Sequence, residues 1–270
     1  MNKPLFHPAV ELPITAIIKD LPQSLLISGQ KGIGLFTVAQ FIAGTNVSHV
    51  VQPTTATATP IISVETIREL YRHARTKMAT RRIIIIDDAD AMSLSAQNAF
   101  LKLLEEPNNS THFILTSHAP EQLLPTIRSR VQPLHLPVLS SSQSINLITR
   151  RGISDPKKQT QLLFLANGLP AELSRLIEDT KYFTARARLI NDAREFITAT
   201  SYQKLCIIQR YKGDRDGTLR LLDSIIAVLH FTLQTKPQSM LISQITTLLE
   251  ARERISANQN ILLQLSRAVI

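Results

Sequence analysis

The residues best suited to chemistry follow an apolar run, Leu25-Leu26-Ile27. They read Ser28-Gly29-Gln30-Lys31-Gly32-Ile33-Gly34-Leu35-Phe36-Thr37. A strand, a glycine-rich turn and a helix start in this order make a phosphate cradle, which ordinarily ends in Gly-Lys-[Ser/Thr]. Here Leu35 stands in the lysine's position and Phe36 in that of the metal-binding hydroxyl. Leucine cannot neutralise β- and γ-phosphate oxygens, and phenylalanine cannot ligate Mg²⁺. Gly29, Gly32 and Gly34 still allow the tight turn. The expectation is a loop that keeps its shape and has lost its chemistry. Lys31 falls inside the loop and Thr37 lies a turn too far into the helix, so a shifted register replaces neither group well. A strand–loop–helix joint without any nucleotide role also stays open on these residues alone.

The second constellation is Arg81-Arg82-Ile83-Ile84-Ile85-Ile86-Asp87-Asp88-Ala89-Asp90. A short β-branched run without alternation suits a strand buried on both faces of a parallel sheet. Acids at its carboxyl end fall where ligands of such sheets bind. The arrangement resembles P-loop ATPases, in which the first acid holds the metal ion, and the AAA+ subclass, in which a glutamate follows and orients water. By that resemblance Asp87 is the metal acid, and Asp88 is one methylene too short for the second role. A buried strand followed by an acidic helix cap is the plainer alternative.

The surrounding text identifies a family. Asp87 to Ser93 leads into Ala96-Gln97-Asn98-Ala99-Phe100-Leu101-Lys102-Leu103-Leu104-Glu105-Glu106-Pro107. Thr111-His112-Phe113-Ile114-Leu115-Thr116-Ser117 and Leu123-Leu124-Pro125-Thr126-Ile127-Arg128-Ser129-Arg130 follow. These strings resemble bacterial DNA polymerase III clamp-loader subunits, the delta-prime subunit and the related motor subunit. The resemblance is strong over 22–139 and recognisable at 160–180 and 246–266. Motor subunits need a working phosphate loop. Delta-prime subunits often have a degraded one and keep the Ser-Arg motif, which is the asymmetry seen here.

The resemblance implies that Arg130 is an arginine finger acting in trans on a neighbour's ATP, with Ser129 shaping its turn. A finger needs correct placement at an interface and no nucleotide in its own subunit; such groups contribute about 10³–10⁵ in rate. A surface arginine without that role is the alternative. Val131 replaces the family's cysteine and reads as packing. Ser117 stands near the place of the polar residue that senses γ-phosphate in active relatives, or is a strand cap. In Gly168-Leu169-Pro170-Ala171-Glu172-Leu173, Ala171 falls near the place of a second sensing arginine, and Arg175 reads as a surface residue. The chain is therefore expected to bind ATP weakly or not at all, the nucleotide being held by the neighbouring subunit. The implied partners are the motor (gamma/tau) and delta subunits, the sliding clamp indirectly, and primed duplex DNA.

The chain carries 30 Lys+Arg against 21 Asp+Glu, a charge of +9, which suits a polyanion-facing protein. Ser63 looks like a helix cap, and Val64, Ile67, Leu70, Tyr71 and Ala74 form an apolar stripe at helical spacing. Arg68, Arg72 and Arg75 share another face, and Lys77, Arg81 and Arg82 continue the positive charge. In the family the corresponding helix starts track DNA, and helix N-termini suit phosphate. A solvated basic face is the alternative. Tryptophan is absent and aromatics are 5%, so DNA contacts are expected at phosphates rather than by base stacking.

The single cysteine, Cys206, sits among Leu205, Ile207 and Ile208 and reads as a small buried residue. Thr54-Thr55-Ala56-Thr57-Ala58-Thr59-Pro60 reads as a surface loop where relatives insert a four-cysteine zinc module. No metal is expected. No apolar run reaches membrane-spanning length and no signal pattern opens the chain, so a cytoplasmic location is expected. Beyond Pro137 strand-like runs disappear. Ser140-Ser141-Ser142 starts a set of small helices, and helical patterns cover 183–199, 202–212, 215–233 and 240–256, with Leu219, Leu222, Ile226 and Leu229 as an amphipathic stripe.

The expected fold is α/β. A P-loop parallel sheet of AAA+ type with helices on both faces (1–139) precedes a small helical lid (140–180) and an all-α collar (181–270). The expected function is that of an ATPase-inactive delta-prime-like clamp-loader subunit. A divergent active motor ATPase and a stand-alone nonspecific DNA-binding protein are the two alternatives.

Overall fold

The computed structural model describes residues 4, 6–54, 60–75, 81–105, 110–235 and 239–269. The chain divides into two compact units, Met1–Leu176 and Ile177–Ile270.

The first unit begins with helix α1 (Glu11–Lys19), strand β1 (Ser24–Ser28), helix α2 (Leu35–Ala43), strand β2 (Val47–Val51) and helix α3 (Val64–Arg75). Strand β3 (Arg82–Ile86), helix α4 (Leu94–Glu105), strand β4 (Thr111–Ser117), the short helix α5 (Pro125–Arg128) and strand β5 (Gln132–His135) complete the sheet layer. Helices α6 (Ser141–Arg150), α7 (Pro156–Ala166) and α8 (Pro170–Glu178) follow.

The strands form one parallel sheet in the order β2-β3-β4-β1-β5. Alternation of side chains across the pleat divides its core in two. Leu26, Ile84, Ile86, Phe113 and Leu115 face one side, with Ile67 and Leu70 of α3 and Phe100 and Leu103 of α4. Leu25, Ile27, Ile83, Ile85 and Ile114 face the other, with Ile14 and Ile17 of α1 and Val38 and Ile42 of α2. Phe100 meets Phe113 edge to face at 5.3 Å between ring centroids. Helices cover both faces, as an all-parallel sheet requires. Each fully buried aliphatic side chain contributes about 1.5–3 kcal/mol relative to exposure.

The four isoleucines of β3 are buried as expected, but the strand before them is a departure. Val47–Val51 pairs with β3 at the sheet edge, although Val47-Ser48-His49 carries no continuous apolar run. An edge strand buries one face at most, and here only Val51 is fully buried. Thr54 bridges to Ile61; residues 55–59 of the polar run lie outside the described residues.

Ser140 starts α6 with a capping box, its side chain accepting from the Gln143 amide while Gln143 returns a bond to the Ser140 amide.

The second unit is helical: α9 (Thr180–Thr198), α10 (Ser201–Arg210), α11 (Arg215–Thr235), α12 (Ser239–Ser256) and α13 (Ile261–Val269). Its core joins Phe196, Ile207, Ile208, Leu221, Leu222, Ile225, Leu229, Leu248, Ile255 and Leu265. On α11 the most buried line includes Leu221 and Ile225, whereas Leu219 and Ile226 of the expected stripe are only partly buried. Neighbours pack on both sides of the helix, so its buried face is broader than one stripe. Cys206 is exposed, which corrects the buried reading: Ile207 and Ile208 take the inward positions of α10 and leave Cys206 on the outer face.

Candidate functional site

The carboxyl ends of β1, β3 and β4 converge at one edge of the sheet, where the strand order reverses. Ser28 is paired in register with Ser117, and Ile86 with Leu115. The glycine-rich loop leaves β1, the acidic pair leaves β3, and His118 follows β4. A parallel sheet brings the three there because all its strands end on the same side.

The loop has the expected turn. Gly32 and Gly34 hold φ of 93° and 94°, a left-handed conformation that a side chain would strain, and Gly34 precedes α2 directly. Its lining is apolar. Leu35 is 2% exposed and packs in the core of that face, with Phe36 half-buried against it. Leu35 Cδ2 comes within 3.4 Å of the point a Cβ on Gly29 would occupy. Lys31 and Thr37 are exposed.

The segment 169–172 lies against this loop. The Glu172 amide donates to the Gly32 carbonyl at 3.0 Å. A Cβ built on Gly34 would meet Ala171 Cβ at 3.2 Å, and one on Gly32 would meet Leu169 Cδ1 at 3.3 Å. Ala171 thus touches the phosphate loop with a methyl group. Arg175 is exposed.

The acidic pair is held by neighbours. Asp87 Oδ1 accepts from the Thr116 hydroxyl at 2.7 Å, and Oδ2 accepts from Gln52 Nε2 at 3.0 Å. Thr116 Oγ1 in turn accepts from the Asp88 amide at 2.9 Å. Asp88 is left-handed, with φ 48°, and its carboxylate lies 3.6 Å from His118 Nε2. Burial and then the charge of Asp87 raise the pKa of Asp88 above the usual carboxylate value. His118 spans the site: Nδ1 meets the Gly29 carbonyl at 2.8 Å, and its backbone amide donates to Asp90 Oδ1 at 3.1 Å. A carbonyl only accepts, so Nδ1 carries the proton. Ser117 is fully buried, and its hydroxyl accepts from the Ala119 amide at 3.2 Å. Thr116 and His118, neither singled out by sequence reasoning, are the β4-end residues that touch the acids. The site's residues offer a phosphate no cation at the lysine position, and a metal no hydroxyl at position 36.

The arginine segment lies elsewhere on the unit. Pro125 opens α5, Ile127 is fully buried, and Ser129 Oγ donates to the Thr126 carbonyl at 3.1 Å. Val131 is buried at 7% exposure. Arg130 is exposed; its Nη1 donates to the Thr126 carbonyl and its Nη2 to Glu105 Oε1, both at 3.1 Å. Gln97 of α4, 5% exposed, fixes this segment. Its Oε1 accepts from the Leu124 amide at 2.8 Å, and its Nε2 donates to the Met92 and Gln122 carbonyls, each at 3.3 Å.

On α3, Ser63 Oγ accepts from the Thr66 amide at 3.3 Å, and Arg68 is exposed. The side chains of Arg72 and Arg75, and all of Lys77, lie outside the described residues. Arg81 is exposed. Arg82, expected to continue the positive charge, is only 7% exposed; as the first residue of β3 it enters the sheet layer. Among the described residues no helix is long and apolar enough to cross a membrane. None of their His, Cys, Asp and Glu side chains form a group of three or more able to hold a metal ion.

Comparison with known proteins agrees with this architecture. Residues 45–140 match the protein family described as DNA polymerase III, delta subunit. The chain is 34% identical over 118 residues to DNA polymerase III subunit delta' of Pseudomonas aeruginosa, covering 43% of this chain and 36% of that one. It is 31% identical over 174 residues to the delta' subunit of Yersinia pestis, covering 61% of this chain and 50% of that one. The matched stretches thus span half or less of the length of these relatives. A DNA polymerase III gamma subunit-related protein from Thermotoga maritima superposes with a TM-score of 0.56 at 19% identity. That match covers 96% of this chain and 97% of the other, a likeness of fold. The fold is that of the AAA+ proteins.

Proposed function

Since residues 45–140 match the DNA polymerase III delta-subunit family and the chain is similar to delta-prime subunits, we propose that it is an ATPase-inactive clamp-loader subunit. In this reading it lends Arg130 to a neighbouring motor subunit. The observation that carries the reading is a contrast. Arg130 stands exposed on an anchored turn, while Leu35 is buried in the core beneath the phosphate loop.

ATP is bound and hydrolysed by the neighbour. Water forms a bond to the γ-phosphorus as the bond to the bridging oxygen breaks. ADP departs with the electron pair, and the water's proton passes to the neighbour's own base. Arg130 donates N–H groups to γ-phosphate oxygens as charge shifts during transfer. The cycle opens the sliding clamp and closes it on primed DNA. DNA is met at its phosphates: the N-terminus of α3 at Ser63 and the exposed Arg68 support such contact.

The test is to mix the purified chain with the motor and delta subunits, sliding clamp and primed DNA of its own organism. ATP turnover is then measured with wild type and with Arg130→Ala. The reading predicts an inert isolated chain, an active mixture, and a mutant that assembles yet loses most of the rate. Unchanged turnover with the mutant, or ATP hydrolysis by the chain alone, refutes it.

A further inference from the structure

The Arg130 guanidinium is gripped at two points that come from different elements. Glu105 ends α4 and Thr126 lies in α5, and each holds one terminal nitrogen at 3.1 Å. The spacing of the two anchors is itself fixed by a buried side chain, since Gln97 of α4 bonds the chain at Gln122 and Leu124 that leads into α5. Both members of the ion pair remain open to solvent, with side chains 40% and 51% exposed. A guanidinium has five N–H donors in one plane. Among the described residues two are engaged, which leaves three, including one on each terminal nitrogen.

We propose that Glu105 is a positioning residue for Arg130, its carboxylate and the Thr126 carbonyl holding the guanidinium plane so that the free N–H groups meet the γ-phosphate of a neighbouring ATPase. This rests on the trans-finger reading above. An arginine side chain is long and loses considerable rotamer freedom when it is brought to one geometry. An anchor on its own subunit removes part of that cost before the neighbour docks. Because the pair is exposed, its strength is modest, and the effect belongs to the transition state more than to nucleotide affinity. Glu105 touches neither ATP nor water; it acts through Arg130.

The experiment uses the same reconstituted assembly with full-length chains: wild type, Glu105→Gln, Glu105→Asp, Arg130→Ala and the Glu105→Gln/Arg130→Ala double variant. Assembly is checked by size exclusion, and kcat and KM for ATP are measured for each. The expected result is that Glu105→Gln assembles, keeps KM and loses about 2–5-fold in kcat, in line with an exposed ion pair. Glu105→Asp, too short to reach, behaves the same way. The double variant is no slower than Arg130→Ala alone, the coupling expected of a residue that works only through its partner. Full or raised kcat in Glu105→Gln overturns the proposal, as does a changed KM, failed assembly, or a loss that adds to that of Arg130→Ala. If Arg130→Ala itself leaves turnover intact, the trans-finger reading falls and this proposal falls with it. Loss in Arg130→Ala with none in Glu105→Gln overturns the Glu105 proposal alone.

Discussion

Thr116 and Asp87 are joined by a hydrogen bond of 2.7 Å, and the same hydroxyl receives the Asp88 amide at 2.9 Å. Thr116 is fully buried, so one side chain on β4 locks the turn that ends β3. Thr116→Val keeps the shape and removes both bonds, leaving the Asp88 amide short of its acceptor. The expected loss is about 1–3 kcal/mol of stability, read as a lower urea midpoint. Thr116→Ser, which keeps the hydroxyl, is expected to lose clearly less. Equal losses in the two variants count against the hydrogen bonds as the cause.

Asp88 gives a pH dependence. Its pKa in the folded chain is raised above the ordinary 3.8 by burial and by Asp87. A raised acid is a penalty on the charged form. The penalty is full above the folded pKa, is relieved as pH falls through that value, and is gone once pH is below the unfolded value. Asp88→Asn is therefore expected to stabilise the chain at pH 7 by a few tenths of a kcal/mol, discounted for the solvent reaching this half-exposed group. Asparagine also tolerates the left-handed backbone at this position. The gain should shrink as pH is lowered; melting curves from pH 7 down to pH 4 check it, and a gain that grows on acidification contradicts the assignment.

Restoring the phosphate-loop residues should not restore an ATPase. Leu35→Lys places an ammonium where a 2%-exposed leucine packs, which is costly without a partner. Asp88 remains short, and Ala171 still covers Gly34. Leu35→Lys, alone or with Phe36→Thr, is expected to lower the melting temperature and to show no ATP turnover. Substantial turnover by Leu35→Lys would refute the inactive-site account.

The helical unit carries its own polar anchor. Asp192, 8% exposed, accepts from the Tyr211 hydroxyl at 2.5 Å and from Arg210 Nη1 at 3.4 Å. Burial, followed by the bond to Asp192, pushes the Tyr211 pKa upward. Tyr211→Phe leaves a buried carboxylate with one donor fewer and is expected to destabilise by about 1–3 kcal/mol. Amide hydrogen exchange along α9 and α10 measures it, and unchanged protection there rules the anchor out.

Much of the sheet layer was legible because its signals are local. Four isoleucines in a row, ending in acids, describe a strand buried on both faces without knowledge of its neighbours. Val47–Val51 was not legible, since an edge strand with one buried face carries half the apolar signal. Arg82 and Cys206 fail for a related reason. Charge and residue type set an average preference for surface or core, but the register of β3 takes Arg82 inward and the rotation of α10 turns Cys206 out. The contact of Ala171 with Gly34 and the tie from Thr116 to Asp87 are tertiary, between segments far apart in the chain, and no periodicity encodes them.

The strand order has a consequence for synthesis. β1 is the first strand to leave the ribosome, yet its ladder partners are β4 and β5, the last two strands of the sheet to emerge. Until Thr111 and the residues after it are made, Leu25-Leu26-Ile27 has an apolar surface and two open backbone edges. Such a segment is prone to mispairing with other chains. The nascent chain therefore passes through a long interval in which an interior strand of the sheet lacks both of its ladder partners.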